Sequence, residues 1–159
     1  MPGRKYPLDP LVKLRERKVD DATRELAGAV NARHAAERKR LAAEEARAKA
    51  DDAAKAAREK ERSALEDGAL RAGDLQRAQA WEFGVAEERK RLTQHVTTAE
   101  QGESAAKKTE ADKQAELAAR EADAKVVEKD KDRFVARENA RELAKEEEAA
   151  VEAWRPRRG

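Results

Sequence analysis

The prolines of this chain lie only near its two ends, at positions 2, 7, 10 and 156. Proline interrupts an α-helix more reliably than any other residue, because it lacks the backbone N–H and its ring clashes with the preceding turn. No proline therefore stops a helix between Pro10 and Pro156. Ala, Glu, Lys, Arg and Leu dominate that span, and they are the strongest helix formers. The sequence predicts an all-α fold.

The composition decides which kind of helical fold is possible. Charged residues make up 44% of the chain and aromatic residues 3%, and most of the hydrophobic 39% is alanine. Such a chain lacks the bulky side chains that an ordinary core needs. Disorder is disfavoured, because 36 basic residues nearly balance 34 acidic ones. Helices that bury a narrow seam, as in a coiled coil, remain.

One turn-like cluster interrupts the predicted helix, and it contains Gly68 and Gly73 between Asp67 and Asp74. The prediction is a long two-helix antiparallel coiled-coil hairpin over residues 1–159. Helix one spans about 10–67, the turn 68–74, helix two about 75–153, and a basic tail 154–159. Asp9 is predicted to cap helix one before Pro10, Gly68 to adopt the left-handed conformation, and Asp74 to cap helix two.

The spacing of apolar residues predicts the seam between the helices. In helix one, Leu8, Val19, Val30 and Leu41 recur every 11 residues, while Val12, Val19 and Leu26 fit a heptad. Beyond Leu41 the predicted seam becomes alanine, which buries little area, so this half should be the softer one. Its alanines are Ala48, Ala54, Ala57 and Ala64. The predicted seam of helix two is Leu92, Val96, Ala99, Ala106, Leu117, Ala124, Val127 and Phe134.

Folding about the turn predicts that helix two extends beyond its partner. Val12 should lie near Lys129, so the residues after about Phe134 have nothing to pack on. Unpaired apolar residues on a helix indicate a binding surface. For Trp154 an alternative is that it folds back on Leu8 or Tyr6. The residues predicted to lack a partner within the chain are Phe134, Val135, Leu143, Val151 and Trp154.

Several kinds of chemistry have no support in the sequence. There is no cysteine for a disulfide, a thiolate metal site or a nucleophile, and no G-x-x-x-x-G-K-[ST] phosphate loop. His34 and His95 are read as solvated helix residues. No catalytic residue, cofactor, metal or small-molecule substrate is predicted. Neither a transmembrane run nor a signal peptide is expected, and the lack of cysteine fits a reducing cytosol.

Basic residues gather near both ends of the chain, and a hairpin brings these groups together. Nucleic acid phosphates, an acidic protein surface or simple solvation would each suit them. No aromatic residues are interleaved with them, so nucleic acid is not the expected partner. The residues are Arg4, Lys5, Lys13, Arg15, Arg17 and Lys18 at the start, and Arg155, Arg157 and Arg158 at the end.

The segment from Tyr6 to Lys18, YPLDPLVKLRERK, followed by an acidic-alanine run from Val19 to Ala22, resembles the opening of the FliJ/YscO family. These are central stalk proteins of flagellar and virulence-type type III secretion. A glycine-containing turn followed by Asp74-Leu75-Gln76, Trp81 and Leu92 resembles the middle of the family. The chain is richer in alanine and poorer in aromatic residues than the family pattern. Nothing in it separates the flagellar from the virulence branch.

The resemblance implies a non-enzymatic bacterial protein, cytoplasmic and peripheral to a membrane secretion apparatus. It would couple a hexameric secretion ATPase to the cytoplasmic ring of the export gate and escort export chaperones. Trp81, Val85 and Leu92 are the predicted gate contact, or else they pack on the alanine half of helix one. The predicted ATPase contact comprises Leu8, Leu11, Arg15, Leu143, Val151 and Trp154. Two alternatives are a structural coiled-coil spacer or oligomerisation rod, and a nucleic-acid-binding hairpin.

Overall fold

The computed structural model describes residues 3–155 and contains two helices, α1 over Asp9–Glu66 and α2 over Ala72–Trp154. No strand occurs within this range. The helices are antiparallel and packed on each other, which confirms the predicted all-α hairpin. The predicted tail residues Arg157 and Arg158 lie outside the described residues.

The chain divides into two compact units, and each unit contains one segment of α1 and one of α2. The terminal unit comprises Met1–Ala27 and Asp112–Gly159. The turn unit comprises Gly28–Ala111. Both helices run without interruption from one unit into the other.

Helix α1 starts one residue earlier than predicted, and the backbone N–H of its first residue, Asp9, donates to the Tyr6 carbonyl at 3.2 Å. The Leu8 carbonyl accepts from Val12 N at 3.1 Å, so Leu8 occupies the cap position and Asp9 is already helical. The prediction that Asp9 caps α1 is therefore wrong. The Asp9 carboxylate instead accepts a hydrogen bond from Lys131 Nζ at 2.8 Å.

The end of α1 follows from a single glycine. Gly68 has φ +69°, a backbone conformation that glycine adopts without strain, as predicted. Gly68 N donates to Leu65 O at 3.1 Å and Ala69 N to Ala64 O at 2.9 Å. This pair of bonds is a Schellman motif, which satisfies two carbonyls that the helix end would otherwise leave free.

Helix α2 begins at Ala72, three residues earlier than predicted. Asp74 does assist the start, but from the third helical position rather than the cap position. Its carboxylate accepts from Arg71 N at 2.9 Å, which is the reciprocal half of a capping box. That bond lets the helix begin before Gly73.

The residues of α1 that face α2 within each unit repeat every seven positions, as in a coiled coil. The predicted 11-residue recurrence is wrong at Leu41 and at Leu8, and both side chains are exposed. Leu41 lies one residue off the seven-residue repeat, and Leu8 precedes the helix. Ala48 is exposed as well. The buried and half-buried rows are Val12, Val19, Leu26, Arg33, Arg40, Arg47, Ala54 and Glu61, and Arg15, Ala22, Ala29, Ala36, Ala43, Ala50, Ala57 and Ala64.

The α2 side of the seam was predicted more accurately. All eight predicted residues, from Leu92 to Phe134, are buried or half-buried. The sequence prediction missed the charged members of the same rows. These are Glu82, Glu103, Glu110, Lys113, Arg120, Lys131 and Glu138.

Candidate partner-binding surfaces

The terminal unit is held by an aromatic clasp between its N-terminal segment and α2. Tyr6 is 8% exposed and packs with Val12 and Val127, with Leu11 and Phe134 against them. The rings of Tyr6 and Phe134 lie 5.4 Å apart at 60°, a tilted geometry that aromatic pairs favour. The prediction that Phe134 lacks a partner within the chain is wrong, because Tyr6 reaches it.

A partly buried hydrogen bond completes the clasp. Tyr6 Oη donates to Asp130 Oδ2 at 2.6 Å. This bond, together with burial and the negative charge of Asp130, raises the pKa of Tyr6 to about 12. The sequence could have indicated the contact, since the predicted register places the start of the chain opposite residues near 130. That prediction followed the helix only, whereas Tyr6 lies before it.

Ion pairs between α1 and α2 fix the register of the terminal unit. Asp9 pairs with Lys131, and hydrogen bonding from Lys131 lowers the pKa of Asp9. Arg15 lies 3.1 Å from Asp123, so this predicted ATPase-contact residue already has an acidic partner. Lys113 Nζ donates to Glu25 at 2.6 Å. These exposed and half-exposed pairs specify alignment more than they stabilise.

The last part of α2 is exposed on all sides. Every described residue from 139 onward is exposed, including Leu143, Val151 and Trp154, whose exposed fraction is 85%. Trp154 therefore does not fold back on Leu8 or Tyr6. Leu8 is also exposed, whereas Leu11 is half-buried against the clasp. The structure thus brings all six residues of the predicted ATPase contact into one unit, four of them open to solvent.

The exposed residues of this segment form an apolar stripe along one side of the helix. The C-terminal stripe comprises Leu143, Glu147, Ala150, Val151 and Trp154, spaced by helical periodicity. Phe134 precedes Leu143 by nine residues, or two and a half turns at 3.6 residues per turn. The stripe therefore faces away from the side on which Phe134 meets Tyr6. It does not continue the seam with α1.

In the turn unit the predicted gate contact splits into two environments. Val85 and Leu92 are half-buried in the seam, whereas Trp81 is 37% exposed. Trp81 and Val85 border a shallow groove of about 500 Å³ with Ala53 and Ala57 of α1. Packing on the alanine half of α1 thus accounts for two of the three residues and leaves Trp81 partly open.

Phe83 is the aromatic residue that the sequence prediction missed. It is 74% exposed, two residues after Trp81 and on the other side of α2. A solvent-exposed phenylalanine in a chain with two in total is a candidate contact residue. The only signal in the sequence was the rarity of phenylalanine, because Phe83 lies off the seam and belongs to no periodic row of apolar residues.

The seam of the turn unit contains ion pairs where the terminal unit has aromatic and branched side chains. Arg33 pairs with Glu110 and Arg40 with Glu103, whose side chain is 7% exposed. Hydrogen bonds from Lys107 and Arg40 hold the pKa of Glu103 below its usual range despite burial. Arg33 and Arg40 extend the heptad of Val12, Val19 and Leu26, a pattern visible in the sequence.

A second groove of the turn unit is lined almost wholly by small residues. This alanine groove has a volume of about 990 Å³. His95, exposed as predicted, borders it, and Lys39 is its one fully charged residue. The small residues that line it are Ala32, Ala35, Ala36, Ala42, Ala43 and Ala46 of α1 and Thr98, Ala99, Gly102 and Ala106 of α2.

The described part of the chain offers neither a membrane span nor a metal cluster. Neither α1 nor α2 contains a stretch apolar enough and long enough to span a bilayer. Within residues 3–155 no three His, Asp or Glu side chains group in a way that could hold a metal ion.

Comparison with known proteins identified one matching family model and one solved structure with a similar fold. The family model described as YscO-like protein matches residues 3–153. No curated protein matches the sequence. A solved structure described as a candidate YscO homolog, CT670 from Chlamydia trachomatis, matches with a TM-score of 0.81 at 20% identity. The match covers 94% of this chain and 92% of that one, and at this identity it shows the fold alone.

Proposed function

The chain belongs to the YscO-like protein family, and we propose that it is the non-enzymatic central stalk of a type III secretion export apparatus. Membership confirms the resemblance drawn from residues 6–22 and the turn region, and it makes the chain a helical protein related to type III secretion. As a stalk it couples the hexameric secretion ATPase to the export gate and escorts export chaperones. It works in the bacterial cytoplasm, at the membrane apparatus, without cofactor or small-molecule substrate.

The observation that carries the proposal is the C-terminal stripe of α2. Large apolar side chains on a single exposed helix are unfavourable in water unless a partner covers them. Trp154 offers the largest such side chain and lies on the same helical face as Leu143 and Val151. Tryptophan and other aromatic anchors dominate the energetics of many interfaces.

The aromatic clasp positions the C-terminal stripe but contributes none of its residues. Tyr6 and Phe134 fix the base of the exposed segment, so the helix that bears the stripe extends from the clasp in a defined direction. Leu8 adds an exposed apolar side chain beside that base, while Leu11 and Arg15 contribute by packing and pairing. In this proposal the terminal unit enters the ATPase ring.

The gate contact is proposed for the turn unit, centred on Trp81. Val85 and Leu92 then act as supports, because the seam already covers much of each side chain. Trp81→Ala should weaken capture of the cytoplasmic gate domain while circular dichroism shows unchanged helicity. Leu65→Ala, another exposed apolar truncation in the turn unit, is the matched control. Equal loss in both variants, or none in Trp81→Ala, removes the gate assignment.

The ATPase contact has a sharper test. The double variant Leu143→Ala/Trp154→Ala should lose co-purification with the hexameric ATPase and stimulation of ATP hydrolysis. Leu41→Ala/Phe83→Ala truncates similarly exposed residues of the turn unit and serves as the control. Retention of binding and stimulation by the first variant, or loss by both, would mean that the stripe is not the contact.

A further inference from the structure

The alanine groove and the C-terminal stripe are complementary surfaces that the described chain leaves uncovered. The groove presents a row of methyl groups and Gly102, so another helix can approach its backbone closely. The stripe presents large side chains, among them Leu143 and Trp154, on a helix segment that is exposed on all sides. Large side chains from one helix seat well between small ones of a helix pair.

The charges on the two surfaces also match. Lys39 is the one fully charged residue of the groove, and Glu147 is the one charged residue of the stripe, between Leu143 and Val151. Among residues 3–155, no carboxylate lies within 4.0 Å of Lys39 Nζ, and no cationic nitrogen lies that close to Glu147. Each surface thus carries a single charge, and the two have opposite sign.

The lengths of the two surfaces agree as well. Leu143 to Trp154 spans about 17 Å at 1.5 Å per residue, and Ala32 to Ala46 spans about 21 Å. The stripe can therefore lie within the groove along its whole length. Between Leu143 and Trp154 the segment has four carboxylates, Glu146, Glu147, Glu148 and Glu152, and one cation, Lys145, whereas the charged residue of the groove is Lys39.

We propose that the C-terminal stripe of one copy docks in the alanine groove of a second copy, with Glu147 of the first facing Lys39 of the second. The contact joins unlike surfaces, so each copy offers one stripe and one groove. The stripe is also the proposed ATPase contact, so self-association and ATPase binding compete for it. The inference rests on the complementarity of the two surfaces and stands without the stalk assignment.

Charge reversal tests the proposal on the full-length chain alone, by sedimentation from micromolar to millimolar concentration. K39E and E147K should each weaken self-association by at least about tenfold, because like charges then face each other. The double variant K39E/E147K should restore it. K55E makes the same change in net charge as K39E at an exposed residue away from the groove and should leave association unchanged.

Cross-linking tests which residues of the two copies lie close together. Because the chain contains no cysteine, an introduced cysteine is the only thiol that can react. Chains carrying A42C, in the groove, and chains carrying V151C should form mixed cross-links with a short bismaleimide. A48C, exposed off the seam, should not cross-link to V151C. A monomer up to millimolar concentration, association that ignores both charge reversals, or equal cross-linking from A42C and A48C would overturn the proposal. None of these outcomes bears on ATPase binding.

Discussion

The terminal and turn units share two helices but are held together by different side chains. In the terminal unit Tyr6, Val12 and Val127 form the only cluster of buried apolar residues found in the described chain, and the half-buried Phe134 packs against it. In the turn unit the seam consists mainly of alanine, with Val85, Leu92 and Val96 from α2, and it is interrupted by ion pairs such as Arg40–Glu103. Bulky side chains bury more area per residue, so cohesion should concentrate in the terminal unit.

This difference explains how a chain so poor in apolar residues can order both helices. The clasp fixes one end of the pair and the Schellman turn at Gly68 joins the other. Between them, paired charges specify the alignment of α1 with α2. A rigid terminal unit suits a part that must hold its direction, and a softer turn unit suits one that adapts to a partner.

The largest effect is expected from truncating the clasp. Phe134→Ala removes a ring packed on Tyr6 and should lower the free energy of unfolding by about 3 kcal/mol. Phe83→Ala makes the same substitution at a residue that is 74% exposed, and it should change stability by less than about 0.5 kcal/mol. Urea unfolding of both variants measures the contrast. Equal losses of unfolding free energy in the two variants would show that the clasp is not the main source of stability.

A smaller effect is expected from breaking the charged seam of the turn unit. Glu103→Leu leaves Arg40 without its partner on α2 and should lower the Tm by several degrees. The double variant Arg40→Leu/Glu103→Leu places apolar groups on both sides and should recover or exceed the original Tm. A double variant less stable than Glu103→Leu would show that the ion pair stabilises the fold in addition to aligning the two helices.

Alkaline pH should loosen the terminal unit through Tyr6. Its pKa is raised from 10.0 to about 12 in the folded chain, so the stabilisation is complete below pH 10 and disappears as pH rises through about 12. Tyr6 is the only tyrosine, so its titration is read directly from tyrosinate absorbance. Asp130→Asn should return the pKa toward its ordinary value. An unchanged titration in that variant would contradict the hydrogen bond.

The smallest effects are expected at two glycines of the turn unit. Gly84 lies within α2, and a methyl group added there would meet open space, so Gly84→Ala should stabilise by roughly 0.5–1 kcal/mol. Gly68→Ala should destabilise by about 1 kcal/mol, because φ at that position is +69°. Thermal unfolding distinguishes the signs. A stabilising Gly68→Ala would mean that the turn tolerates another conformation.

The sequence correctly predicted the features that depend on helix formation and on the spacing of apolar residues. Prolines confined to the ends, the glycine turn and the apolar positions of α2 were sufficient for the hairpin and for half of its seam. The charged seam was missed because Arg33 and Glu103 are residue types usually placed on a surface, and only their partner across the seam makes them buried. The clasp was missed because Tyr6 lies outside the helix, where periodicity carries no information.

Hydrogen–deuterium exchange of the full chain, at a concentration low enough to keep it monomeric and with and without the hexameric ATPase, tests the stalk assignment most directly. Without ATPase, amides of α2 near Val127 and Phe134 should exchange more slowly than those of the turn unit, and residues 139–154 should exchange rapidly. Adding the ATPase should protect residues 139–154 and leave residues 28–111 unchanged. Protection of the turn unit with residues 139–154 still exchanging rapidly would contradict the account.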